Sequence, residues 1–138
     1  MKENLNNLIG KHALIIEDNE LNIIVLTIVL RNMGLSYDLA RDGQEGLDKF
    51  NAGNFDIVLT DIQVPLLNGN QLAIQIRNNP DSQKAGVPII ALTASILLDD
   101  FNQYLSSGIN AIVVKPFSQT DLKETLEKYL FQIPLYTY

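Results

Sequence analysis

Five side chains whose types could together handle a phosphoryl group stand directly after short apolar runs. Glu17 and Asp18 follow Ala13–Ile16, Asp61 follows Ile57–Thr60, Thr93 follows Pro88–Leu92, and Lys115 follows Ala111–Val114. Three carboxylates brought close repel and raise one another's pKa unless a cation joins them. A hard divalent ion with oxygen ligands and retained waters answers this, and Mg²⁺ is the usual choice beside a phosphate. Asp61 can then act as a nucleophile toward phosphorus, giving an acyl phosphate. Lys115 would neutralise the equatorial oxygens of the transition state, and the Thr93 hydroxyl could hydrogen-bond one of them. Singly, each residue has a plainer role: a loop-starting aspartate, a β-branched strand residue, a surface lysine. Their shared placement is what favours the chemical reading.

Such placement needs elements to produce it. The apolar runs named above are rich in β-branched residues and do not alternate, as strands covered on both faces require. Tyr37–Ala40 is a weaker fifth run. Between the runs lie helix-length segments at Glu20–Met33, Gln44–Asn51, Gln71–Asn78, Leu97–Ser107 and Thr120–Leu130. Gly34 and Gly108 close two of them and Ser118 is a good N-cap for the last, which carries Leu122, Leu126 and Tyr129 on one face. Five strands alternating with five helices predict an α/β fold, a single doubly wound parallel sheet with right-handed crossovers and helices on both sides. In such sheets ligands sit beyond the carboxyl ends of the strands, where the five reactive residues fall.

Bulk properties narrow the classes. A chain of 138 residues, 46% apolar and 19% charged, has room for one domain with a sizeable core. It has no cysteine, which removes disulfide frameworks, thiolate metal sites and cysteine nucleophiles and fits a reducing cytosol. The net charge of -6 argues against direct nucleic-acid binding. The apolar stretch Leu21–Leu30 is too short to span a bilayer, which needs about 20 apolar residues, and the first residues do not read as a signal peptide. The expectation is a cytoplasmic protein without membrane insertion.

Four stretches carry a family resemblance: 13–19 (Ala-Leu-Ile-Ile-Glu-Asp-Asn), 56–69 with Asp61 near its middle, 88–94 ending in Thr93 and Ala94, and Val113-Val114-Lys115-Pro116-Phe117. In this order and spacing the chain resembles the receiver domains of response regulators, the CheY-like superfamily, over roughly residues 11–131. Its opening Glu17-Asp18-Asn19, with Asn22, is similar to receivers of hybrid histidine kinases. The resemblance implies a flavodoxin-like fold and a self-phosphorylating signalling domain without ordinary substrate turnover. Asp61 would take a phosphoryl group from a phosphohistidine, with Thr93 and Lys115 as the assisting hydroxyl and ammonium. Mg²⁺ would be held by Glu17, Asp18, Asp61 and the backbone carbonyl of Gln63. On this division residues 1–10 are an N-terminal extension and 132–138 a C-terminal tail.

Two positions depart from the family pattern. Glu17 stands where many members have Asp, and Ile112 occupies the place of the switch aromatic three residues before the lysine. The rival readings are a haloacid-dehalogenase-like phosphatase or phosphotransferase and a receiver-like interaction module that is never phosphorylated. The first uses Asp-x-Asp, whereas Ile62-Gln63 follow Asp61 here; the second leaves five competent side chains idle. No Gly-x-Gly-x-x-Gly follows a strand, which disfavours dinucleotide binding. His12 is read as a residue at the start of strand one, and Phe101 and Tyr104 as packing residues of the fourth helix. The first helix is unusual: Val25, Leu26, Val29, Leu30 and Met33 suffice to cover a sheet, leaving Ile23, Ile24 and Ile28 as a candidate apolar patch for a partner. The expected partner is a histidine kinase or histidine phosphotransfer domain, with homodimerisation second.

Overall fold

The computed structural model describes residues 9–94 and 98–131. Strands β1 (His12–Ile16), β2 (Ser36–Ala40), β3 (Ile57–Asp61), β4 (Ile89–Thr93) and β5 (Ala111–Val114) form one sheet, parallel throughout, in the order β2-β1-β3-β4-β5. They alternate with helices α1 (Glu20–Asn32), α2 (Gly43–Ala52), α3 (Gly69–Arg77), α4 (Ser82–Ala85), α5 (Leu98–Ser106) and α6 (Gln119–Leu130). The central strands are buried almost throughout, hence their unbroken apolar sequences. β2 lies at the sheet edge and alternates exposed with half-buried residues, so its run is weaker.

Successive side chains of a strand point to opposite faces, and the sheet therefore separates two cores. On one face Ala13, Ile15, Leu59, Ile90 and Leu92 pack with Leu26, Val29 and Leu30 of α1 and Leu122, Leu126 and Leu130 of α6. On the other, Leu14, Ile16, Val58, Ile89 and Ala91 pack with Phe50 of α2, Leu72, Ala73 and Ile76 of α3, and Tyr104 of α5. Helix starts are fixed locally. Asn19, Asp42, Asn68 and Ser118 each accept a hydrogen bond from the backbone N–H three residues on, satisfying a donor the helix itself cannot. Beyond the ends of α1 and α5, Gly34 and Gly108 take φ of 89° and 102°, a conformation in which a Cβ would be strained.

Several expectations need correction. There are six helices among the described residues, not five; α4 is a four-residue helix capped by Asp81, too short for any periodicity to announce. Ile23 is not part of an outward patch: it is 7% exposed, while Ile24 is 50% exposed. Ile23 stands three residues before Leu26 and seven before Leu30, on the buried stripe itself, whereas Val25 is only half-buried. Thr27 joins that stripe because its hydroxyl donates to the Ile24 carbonyl at 3.0 Å. Tyr104 packs in the core as expected, but Phe101 stands exposed. The tail 132–138, residues 1–8 of the extension and Leu97 lie outside the described residues.

Arg77, the last residue of α3, ties several elements together. Its guanidinium donates to the carbonyls of Ala85 and Val87, both at 2.7 Å, to the Gly108 carbonyl at 2.6 and 3.0 Å, and to Asn110 Oδ1 at 2.7 Å. Asn110 Oδ1 also accepts from the Ile89 N–H. His12 opens β1 at the far end of the sheet from the reactive edge. Its ring stacks on Phe55 at 5.2 Å and sits 2.6 Å from Ser36 Oγ and 3.4 Å from the Asp38 carboxylate. No helix among the described residues is long and apolar enough to cross a membrane.

Candidate functional site

Sheet register brings the reactive residues level. Ile16 pairs with Thr60, so Glu17 emerges beside Asp61; Thr93 pairs with Val114, so Lys115 emerges just beyond Thr93. The Lys115 N–H donates to the Thr93 carbonyl at 2.6 Å, and Glu17 N–H donates to the Ala40 carbonyl at 3.0 Å. Lys115 is followed by Pro116 through a cis peptide bond. Lys115 Nζ lies 2.9 Å from Glu17 Oε1 and donates to Asp61 Oδ2 at 3.1 Å. Asp61 Oδ1 in turn accepts the Gln63 N–H at 3.2 Å, so both oxygens of that carboxylate are oriented. Thr93 is buried next to this group, at the end of β4.

Glu17 is the electrostatic oddity of the site. Its residue surface is fully buried, Oε2 accepts only a long 3.3 Å bond from Asn19 N–H, and Oε1 has no well-aligned hydrogen-bond donor. The approach of Lys115 to Oε1 is an ion pair in distance but not a directed hydrogen bond. Burial pushes the Glu17 carboxyl above its usual range, with the Asp61 charge adding to it, against the pull of Lys115. For Lys115 burial works downward, but the close Glu17 carboxylate, the hydrogen bond to Asp61 and the charges of both outweigh it, and the ammonium is held above its ordinary value.

One carboxylate oxygen from each of Glu17, Asp18 and Asp61 lies within 4.8 Å of the others. This cluster suits a hard cation: three oxygen donors converge, and a buried one lacks an aligned partner. Asp18 is exposed and completes the set from the solvent side. All five side chains singled out from the sequence thus meet at one edge, joined by the Gln63 backbone.

A match to the response regulator receiver domain family runs from residue 13 to residue 127. The chain belongs to that family. As a receiver it is 35% identical over 118 residues to the aerobic respiration control sensor protein ArcB of Escherichia coli K12, covering 86% of this chain but only 15% of ArcB. The solved receiver domain of the sensor histidine kinase PA1611 from Pseudomonas aeruginosa, which has a magnesium ion coordinated in its active-site cleft, superposes with a TM-score of 0.79 at 32% identity, covering 88% of this chain and 98% of that one. The receiver domain of Ssk1 from Saccharomyces cerevisiae, solved with the histidine phosphotransfer protein Ypd1, represents the match with a TM-score of 0.83 at 31% identity, covering 95% and 96%. This receiver is therefore a two-component signalling domain.

Not everything around the site was readable. Asn19 serves both as the α1 cap and as a donor to Glu17, a double role that a one-letter reading of the acidic pair passes over. The loop after Asp61 is also shaped by contacts remote in sequence: Gly43 N–H donates to the Pro65 carbonyl at 3.0 Å. Ile112 is half-buried and packs into the core shared with Tyr104, an aliphatic contact where a receiver's aromatic would stand.

Proposed function

We propose that this receiver accepts a phosphoryl group on Asp61 from a phosphohistidine. The carrying observation is the convergence of Glu17, Asp18 and Asp61 with Lys115 bridging two of them. An Asp61 oxygen forms the new bond to phosphorus as the bond from phosphorus to the imidazole nitrogen breaks, and the imidazole departs with its electron pair. Lys115 faces the phosphoryl oxygens as a fixed cation and the Thr93 hydroxyl donates to one of them. Glu17, Asp18, Asp61 and the Gln63 carbonyl hold Mg²⁺, which supplies charge neutralisation for the anionic donor and the transition state. That PA1611 carries magnesium in its cleft supports the metal assignment.

The receiver unit is taken as residues 11–131, between an extension, 1–10, and a tail, 132–138, in a cytoplasmic setting. Its donor is a histidine kinase or histidine phosphotransfer domain, as the pairing of Ssk1 with Ypd1 supports. The docking surface is the outward face of α1, which starts two residues after Asp18. Leu21, Ile24 and Ile28 stand exposed there at i, i+3 and i+7, a stripe suited to helix-on-helix packing. Homodimerisation through the same stripe is the second outcome. The test is intact-mass measurement after incubation with phosphoramidate or acetyl phosphate and Mg²⁺. One phosphoryl group is expected on the wild type and none on Asp61→Asn; a stable adduct in that variant, or full reactivity in excess chelator, removes the assignment.

A further inference from the structure

The loop between β3 and α3 contains the one non-glycine residue among those described with a positive φ. Leu66 has φ 71° and is 79% exposed. The Leu67 N–H donates to the Pro65 carbonyl at 2.8 Å, two residues back, which makes this a γ-turn centred on Leu66. With positive φ that turn is rare and strained, and a bulky side chain makes it more so. Strain of this kind persists only where the surroundings over-determine it.

The surroundings are identifiable. Gly43, first residue of α2, donates its N–H to the Pro65 carbonyl on one side of the turn. A Cβ at Gly43 would stand 1.7 Å from the Leu67 carbonyl oxygen on the other side, a backbone atom. No positive φ is involved at Gly43; the requirement is space alone. Restoring even a 3.0 Å contact would push the Leu67 carbonyl away by about 1.3 Å, the difference between the two distances. α2 has no room to yield toward the sheet, because a Cβ at Gly46 would already meet Ile16 Cγ1 at 2.6 Å. The loop must move, and it is stiff: Pro65 has a fixed φ and Leu66 is locked in its turn. Going back along the chain, Val64 and Ile62 are buried, and between them Gln63 donates to Asp61 Oδ1.

We propose that Gly43 is a positioning residue for the acceptor: the glycine seats the Pro65–Leu67 turn, and the turn sets the Gln63 backbone against Asp61. This rests on the reading of Asp61 and Gln63 given above. The experiment compares wild type, Gly43→Ala and Gly46→Ala by amide chemical shifts during Mg²⁺ titration, with thermal melts in chelator alongside. Gly46→Ala strains the same helix against the Ile16 side chain of β1 rather than against the loop backbone, and is the control for packing damage. Gly43→Ala is expected to weaken Mg²⁺ binding by roughly tenfold, in the range typical of groups supporting metal ligands. Gly46→Ala is expected to lower the melting temperature while leaving Mg²⁺ affinity within about twofold of wild type on the same scale. Should Gly43→Ala fail to fold, Leu66→Gly replaces it. Glycine accepts φ 71° without strain but frees the turn, and weaker Mg²⁺ binding with an unchanged melt is expected. Wild-type affinity in Gly43→Ala or its replacement, or an equal loss in Gly46→Ala, overturns the positioning role alone. A wild type that shows no Mg²⁺ response overturns the functional reading, and the role with it.

Discussion

Lys115→Met tests the electrostatics of the site without any donor. Met keeps most of the length and apolar stem of lysine but removes the charge held 2.9 Å from Glu17 and 3.1 Å from Asp61. Deleting one partner of a buried ion pair costs about 3–5 kcal/mol, because the remaining charge is stranded. Asp61 keeps its hydrogen bond from the Gln63 N–H and is 13% exposed, so the stranded charge stays partly solvated and the lower end, about 3 kcal/mol, is expected at neutral pH. Unfolding entropy of about 2.1 cal/mol/K per residue over 138 residues is roughly 0.29 kcal/mol/K, so the melting temperature in chelator should fall by about 10 °C.

The sign of the pH dependence follows. A carboxyl whose folded pKa is raised binds more protons folded than unfolded, so its penalty is fully present above the folded pKa. That penalty fades as pH falls toward the ordinary carboxylate range. Without Lys115 to pull it down, Glu17 rises further and gains more on acidification. The deficit of the variant should therefore shrink between neutrality and that range. Lys115 in the wild type contributes with the opposite sign: its raised pKa gives stability present below the ordinary lysine value and lost as pH rises through the folded one. Excess Mg²⁺ should also narrow the deficit, since carboxylates no longer neutralised by Lys115 should bind the ion more tightly in the variant, and tighter binding to the folded state stabilises it more by mass action. Differential scanning calorimetry across pH measures all three. An unchanged melting temperature in chelator, or a deficit that is constant on acidification, refutes the reasoning.

Arg77→Ala leaves the Ala85, Val87 and Gly108 carbonyls without their donor and should cost about 3 kcal/mol, seen as a similar drop of about 10 °C with phosphoramidate reactivity retained at permissive temperature. Ile24→Lys should slow phosphotransfer from a protein donor while sparing phosphoramidate; Ile23→Lys, buried in the core, should instead lower the melting temperature steeply, and equal behaviour of the two would count against an outward docking stripe. Beryllofluoride should shift amides around Thr93 and Ala94, whereas large changes confined to Ile112 and its strand would contradict a readout without an aromatic swing.

What could be read from the sequence, and what could not, divides along physical lines. β1, β3 and β4 were legible because cover on both faces demands unbroken apolar runs, β5 because its four residues stay apolar although it is an edge strand with Val114 exposed, and the candidate site residues because parallel strands deliver their carboxyl ends to one edge. β2 was faint since its exposed positions carry Ser36 and Asp38, as an edge strand allows. Ile23 was misassigned by beginning the buried stripe of α1 one step too late; the spacing to Leu26 and Leu30 already contained the answer. The Arg77 clamp and the seating of the loop on Gly43 were not legible, because each joins residues that only the fold brings together, 31 apart for Arg77 and Gly108.

The sheet that separates two cores also separates two kinds of change. The outward stripe of α1 belongs to the layer backed by α6, while Ile112 and Tyr104 belong to the layer of α2, α3 and α5. Substitutions that retune one surface have no shared side-chain packing through which to disturb the other; the layers meet mainly where Glu17, Asp61, Thr93 and Lys115 cross the strand ends. If the α1 stripe does receive the donor and the Ile112 layer does carry the output, partner choice and output would be free to drift independently, so long as that shared rim is kept.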